Sequence, residues 1–139
     1  MNQPGRTVDR ALPRVDFFHW AVWDLPADLR EIAAGSQCSG VTARGKGPSA
    51  PLGRHGLNDY TGWFAGDPAM AGDYHGYDGP CPPWNDERVH RYRITLWALD
   101  VANLPVQGRD GAALRAAIVP HVLAAASLDG TYAIFPGAT

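Results

Sequence analysis

The chain has 139 residues and a formal net charge of −2 at pH 7, a length that suits one domain of about 100–150 residues. The small net charge argues against a nucleic-acid binder held by bulk electrostatics, and a hydrophobic content of 45% argues against wholesale disorder. Sixteen Gly and 12 Pro favour a loop-rich, largely β protein over a helical bundle.

The first half of the chain predicts one strand followed by long loops. Residues 1–14 are polar and proline-rich, which predicts a loop. Val15–Asp24 carries aromatic and β-branched residues on both alternating faces and predicts a central, covered strand. Asp28–Ala34 predicts a short helical turn, and residues 35–85 lack any long periodic segment. Loops of this length inside a domain are usually functional or mobile.

The second half predicts strand, helix and strand. Arg91–Val101 alternates as a strand, and we expect Trp97 within it to be largely buried. Asp110–Ser127 has helical apolar spacing, with Pro120 expected to kink or split the helix. Gly130–Phe135 predicts a final strand.

Most familiar catalytic and metal motifs are missing from the sequence. The five histidines show no HExxH spacing and no CxxC pair occurs, so we predict no metal site and no cofactor. No GxSxG elbow supports a serine hydrolase. We expect His55 to lie on an exposed loop, and both cysteines, Cys38 and Cys81, to be reduced.

One combination of residues does point to chemistry. The Gly79–Pro83 loop, stiffened by proline, comes shortly before His90–Tyr92 at the start of a strand, and His19 sits within the aromatic first strand. Imidazole and phenol groups can donate hydrogen bonds to an oxyanion, and imidazole can add a positive charge. The combination therefore favours an anion site.

These residues resemble the phosphatidylethanolamine-binding protein family, and in particular its bacterial Raf-kinase-inhibitor-like branch. Phe18–Trp20 with Asp24–Pro26 is similar to the family's histidine strand. Gly79–Pro83, His90–Tyr92 and Leu96–Asp100 resemble its GxxPP…HRY pattern. The likeness covers roughly residues 15–135.

The resemblance implies a fold and a site. The implied fold is mainly β, an antiparallel β-sandwich with a short helix near the C-terminus. The implied site is a small pocket for a phosphate-type anion, and neighbouring strand residues such as Arg91 would face away from it. The residues carried over to this ligand-binding pocket are His19, Gly79, Pro80, Pro82, Pro83, His90 and Tyr92.

The start of the sequence departs from the family pattern. The family has an Asp-Pro-Asp-Ala-Pro segment and several strands before the histidine strand, and this sequence shows no counterpart. We therefore expect residues 1–139 to form a single domain that is truncated at the N-terminus relative to the family. Such a domain would expose strand edges and core surface.

The predicted function is non-enzymatic binding of a phosphate-type small molecule or head group, with no catalytic residues, no nucleic acid and no membrane span. A protein partner and a dimer stay open alternatives. Without an apolar leader we expect a cytoplasmic protein. One rival is a hydrolase acting on a phosphate or acyl substrate through His90 with Asp86, or through Cys81. Another is an inactive fragment that folds only with a partner or not at all.

Overall fold

The computed structural model describes residues 6–40, 42–49 and 52–139. No helix formed by these residues has the length and apolar character needed to cross a membrane. The helices and strands, in chain order, are β1 (Val22–Trp23), β2 (Arg54–His55), α1 (Tyr60–Trp63), β3 (His90–Leu99), α2 (Gly111–Ile118), a 3₁₀ turn (Val119–His121) and β4 (Val122–Tyr132).

The strands form two two-stranded sheets. β1 and β2 are antiparallel, with Val22 opposite His55. β3 pairs with β4, and contacts of Arg93 with Asp129 and of Thr95 with Ser127 show that these strands also run antiparallel. The predicted fold class, mainly β with a short helix near the C-terminus, is confirmed.

The predicted strand Val15–Asp24 is wrong over most of its length, because only Val22–Trp23 is strand. The backbone before Val22 forms hydrogen bonds with loops instead of with a neighbouring strand. The Phe18 amide donates to the Asp59 carboxylate at 2.7 Å, and the Ala21 carbonyl accepts from the Gly56 amide at 2.9 Å. Residues 28–34 likewise form no helix.

The predicted helix Asp110–Ser127 is too long. Asp110 does cap the start of the helix, because its carboxylate accepts a hydrogen bond from the Ala113 amide at 2.8 Å. The helix α2, however, ends at Ile118. Pro120 lies in the 3₁₀ turn that follows, and proline has no amide to continue the helix. The chain from Val122 onward pairs with β3, so the final strand begins eight residues before Gly130 and ends at Tyr132.

The chain divides into two units. The terminal unit comprises the residues up to Asp16 together with Pro80–Leu96 and Ala125–Thr139, and the central unit comprises Phe17–Gly79 and Trp97–Ala124. The single domain expected for residues 1–139 stays a prediction.

The central unit has the apolar core. Ala21, Leu104, Leu114 and Ile118 are buried together, and partly buried residues including Trp23 pack against them. Trp97 is 40% exposed, so the expectation that it is largely buried is wrong. Trp97 shares its side of β3 with Arg93 and Thr95, whose side chains bond to an exposed face of β4.

The expectation that His55 is exposed is also wrong. His55 is buried and its Nε2 lies 2.8 Å from the Leu52 carbonyl oxygen, so Nε2–H donates to that oxygen. Burial lowers the pKa of His55, an effect that the Leu52 carbonyl opposes and that the nearby His75 and Lys46 reinforce. Gly76 lies beside this ring with a φ of +77°, a left-handed conformation in which a side chain would be strained.

We expect Leu104→Ala to lower the free energy of unfolding by about 2–4 kcal/mol, because it leaves a cavity in the core. Leu123→Ala is the matched control: Leu123 is 68% exposed, so its loss should cost under about 1 kcal/mol. Urea titration of both variants measures the difference, and equal costs would contradict this placement of the core.

We expect His55 to make the fold acid-sensitive between about pH 7 and pH 5. Its pKa is lower in the folded state, so the unfolded chain binds more protons and acid favours unfolding. His55→Gln keeps an amide donor without a titrating ring. Urea unfolding at both pH values should therefore show a smaller loss of stability in the variant than in the parent, and identical losses would contradict the prediction.

Candidate functional site: a histidine held by a buried carboxylate

The terminal unit contains a buried carboxylate, Asp86, that is 2% exposed. The Arg14 guanidinium donates two hydrogen bonds to it, from Nε to Oδ2 at 2.9 Å and from Nη2 to Oδ1 at 2.6 Å. The Arg88 amide donates to Oδ1 at 2.9 Å. Two-point guanidinium contacts of this kind are the strong form of a charge-assisted hydrogen bond.

Burial by itself would raise the pKa of Asp86. The hydrogen bonds from Arg14, the Arg88 amide and His90 outweigh that effect, so the pKa lies well below its usual range. Asp86 is therefore an ionised acceptor at neutral pH.

His90 is the third side chain of this cluster. Its Nε2 lies 2.8 Å from Asp86 Oδ2. An ionised carboxylate only accepts, so Nε2 carries a proton and donates to Asp86, which fixes the ring's orientation. The other ring nitrogen, Nδ1, accepts a hydrogen bond when the ring is neutral and becomes a donor when the ring is protonated.

The local fold explains why these residues meet. The chain segment from Arg6 to Arg14 runs beside residues 85–87, where the Val8 amide donates to the Asn85 carbonyl at 2.8 Å and the Glu87 amide donates to the Val8 carbonyl at 3.2 Å. Arg14 is further fixed by the carbonyls of Asp9 and Leu12. The cluster is thus held by backbone pairing as well as by charge.

The remaining predicted residues of the terminal unit lie in the same segment of the chain, residues 80–92. Tyr92 is half-buried and shares a face of β3 with His90, since strand residues alternate, and Arg91 is exposed on the opposite face. In the preceding loop Pro80 is exposed, Pro82 is buried and Pro83 is half-buried. Three prolines remove three amide donors from this loop, so a bound anion would depend mainly on side chains.

The other two predicted residues belong to the central unit. His19 is half-buried, with its ring 4.8 Å from that of Phe17 and 5.5 Å from that of Tyr60. Gly79 is buried with a φ of +83°, a left-handed conformation in which a side chain would be strained. His19 packs against aromatic rings, as the aromatic residues next to it in the sequence indicate.

Sequence reasoning missed Arg14. It named Asp86 only as a partner of His90 in the hydrolase alternative, and it treated residues 1–14 as a polar loop. Arg14 lies 72 positions from Asp86 in the chain, and no local pattern marks that pairing.

The structure also bears on the hydrolase alternative. Asp86 and His90 have the geometry of a base and the group that orients it, two of the three parts of a nucleophilic site. Within the described chain, however, the His90 ring hydrogen-bonds Asp86 and no hydroxyl or thiol. The described residues also contain no group of three His, Cys, Asp or Glu side chains placed to hold a metal ion.

A sequence model of the family described as phosphatidylethanolamine-binding protein matches residues 5–133. The chain belongs to this family. The matched range includes every residue of the predicted pocket.

Curated relatives agree with this assignment. A UPF0098 protein of Chlamydia pneumoniae is 30% identical over 116 residues, covering 84% of this chain and 59% of the relative. UPF0098 protein YbhB of Escherichia coli K12 is 31% identical, covering 84% of this chain and 61% of the relative. A UPF0098 protein of Methanothermobacter thermautotrophicus is 31% identical, covering 93% and 76%. The chain spans about three fifths of the length of the first two. The expected bacterial branch is therefore supported.

We expect Arg14→Ala to lower the free energy of unfolding by about 2–3 kcal/mol, because it removes the charged hydrogen bonds that Arg14, itself partly exposed, makes to the buried Asp86. Arg93→Ala is the matched control. Arg93 makes the same two-point contact with Asp129, at 2.7 and 2.8 Å, but both side chains are well exposed. Solvent screens such pairs, so its loss should change stability little. Equal effects in urea titrations would contradict the role given to Arg14.

Proposed function

We propose that the chain is a non-enzymatic binding protein for a phosphate-type anion and that His90 supplies the main donor. The observation that supports this most is the 2.8 Å bond between His90 Nε2 and the buried, ionised Asp86. That bond directs Nε2 inward and leaves Nδ1 as the nitrogen available to a ligand. A protonated, preoriented imidazole is a charge-assisted donor to an oxyanion.

Family membership supports the same ligand chemistry, because the family's description names a phospholipid whose head group contains a phosphate. We include His19, Gly79, Pro80, Pro82, Pro83 and Tyr92 in the proposed binding set from the family resemblance. A free phosphate and a phosphorylated head group share this chemistry. A protein partner and a dimer stay predictions.

The proposal predicts that anion binding takes up a proton. Histidine ordinarily changes charge between pH 5 and 8, whereas Asp86 stays ionised over that range because its pKa is lowered. Because an imidazole attracts an anion more strongly once it is protonated, binding through a histidine donor should strengthen from pH 8 to pH 6. Sulfate keeps its charge over this range and is the reference anion. Inorganic phosphate and phosphoethanolamine distinguish a free anion from a head group.

His90→Asn should weaken sulfate binding at pH 6 by at least about tenfold, the value of a charged hydrogen bond. His121→Asn is the matched control. His121 also lies 2.8 Å from a carboxylate, but that partner, Asp100, is half exposed. NMR titration of the histidine rings measures both. Similar losses in the two variants, or affinity that does not change with pH, would refute the role of His90.

His19→Asn tests the residue carried over from the family separately. If the pocket includes His19, its ring signals shift on titration with phosphate and the substitution weakens binding. If only the His90 signals shifted, His19 would not be part of the site, but binding of the anion would still be supported. Turnover of a phosphate or acyl ester that His90→Asn abolishes would favour the hydrolase alternative instead.

A further inference from the structure

Arg14 and His90 donate hydrogen bonds to the same oxygen of Asp86. Arg14 Nε lies 2.9 Å from Oδ2, and His90 Nε2 lies 2.8 Å from the same atom. The other oxygen, Oδ1, accepts from Arg14 Nη2 at 2.6 Å. One buried carboxylate therefore links a permanently charged guanidinium to an imidazole whose charge can change.

The charges of Asp86 and Arg14 cancel. The carboxylate is ionised at neutral pH, and an arginine side chain stays protonated in proteins. The cluster of Arg14, Asp86 and His90 is therefore neutral when the imidazole is neutral, and it has one positive charge when the imidazole is protonated. In a cluster without Arg14, the carboxylate would cancel the charge of a protonated ring, and a neutral ring would leave one net negative charge.

The neighbouring charged groups do not replace Arg14 in this balance. Asp9, on the same segment as Arg14, is exposed, and Glu87, next to Asp86, is half-buried, and both are acidic. Arg88 bonds the Asp86 carboxylate through its backbone amide at 2.9 Å. Among residues 6–40, 42–49 and 52–139, the Arg14 guanidinium is the one permanently charged group in ion-pair contact with this carboxylate.

The guanidinium of Arg14 is engaged by the protein itself. Besides its bonds to Asp86, Nη1 donates to the Leu12 carbonyl, and Nη2 donates to the Asp9 carbonyl at 3.2 Å. Its side chain is 24% exposed. Arg14 is thus fixed in place, and its effect on a ligand is exerted through Asp86 and His90.

From this charge balance we propose that Arg14 is a positioning residue that makes the His90 site selective for anions. The inference rests on the proposed function, because it takes His90 as the donor to the ligand. By offsetting the charge of Asp86, Arg14 lets a carboxylate orient the ring without cancelling the positive charge that the ring gains on protonation. A cluster without Arg14 would attract an anion less strongly, since it would carry one positive charge fewer in either protonation state of the ring.

The test is a double-mutant cycle on the full chain, with sulfate as the anion at pH 6 and an ionic strength of about 0.1 M. Arg14→Gln removes the positive charge and keeps a hydrogen-bond donor. We expect it to weaken sulfate binding at least about fivefold. Adding Asp86→Asn removes both charges of the pair and keeps an acceptor for His90 Nε2. This double variant should therefore bind sulfate within about twofold of the parent.

The recovery in the double variant separates a charge effect from a structural one. If Arg14 only held the chain together, a second substitution in its contact would weaken binding further. Arg14→Lys keeps the charge and should bind sulfate within about twofold of the parent. Arg93→Gln is the matched control. It lowers the net charge of the chain by the same amount, but Arg93 pairs with Asp129 on the opposite face of β3 from His90, so it should change the affinity by less than about twofold.

NMR titration measures all affinities, and backbone amide spectra verify that each variant is folded. Equal sulfate affinity in the parent and in Arg14→Gln, or a double variant as weak as Arg14→Gln, would overturn the role of Arg14 and leave the proposed function in place. A parent chain that binds no sulfate would overturn both. If Arg14→Gln does not fold, loss of binding in folded Arg14→Lys or in the folded double variant would overturn the proposal.

Discussion

The terminal unit depends on one buried charge. Removing a carboxylate from water costs several kcal/mol unless other groups replace the lost hydration. Asp86 receives that replacement from Arg14, the Arg88 amide and His90. Since Arg14 comes from the N-terminal segment and the other donors come from residues 88–90, neutralising Asp86 requires the N-terminal segment to lie beside residues 85–90. The same interaction that fixes the orientation of the His90 ring therefore also sets the local fold.

Polar contacts have this importance because the terminal unit has little apolar core. The five buried hydrophobic residues among those described all belong to the central unit. Within the terminal unit Ile94, Leu96 and Leu128 are exposed, although alternation places them on one face of the paired strands. A two-stranded sheet with an open apolar face is marginal by itself. Asp86 and its partners must then contribute a larger share of the unit's stability than polar groups usually do.

The sequence predicted what local patterns determine. β3 was predicted within one residue at its start because its apolar alternation has no Gly or Pro. The prediction of the first strand was wrong because the backbones of Phe18 and Ala21 form hydrogen bonds with distant loops. The predicted helix was too long because, beyond Pro120, the chain pairs with β3 despite its helical apolar spacing. His90 followed from a family motif. Arg14 could not, because its role exists only once the chain brings it to Asp86. Long-range pairing therefore accounts for most of what sequence reasoning missed.

The carboxylates of this chain show why residue type alone does not determine what a side chain does. At Asp86 both oxygens are occupied by donors, so its charge is offset by Arg14 and its proposed effect on a ligand is indirect, through His90. Asp59 and Asp110 each accept a backbone amide, from Phe18 and from Ala113, and so hold a loop and the start of α2 in place. The hydrogen bonds that each carboxylate makes therefore decide whether it orients another side chain or fixes the backbone.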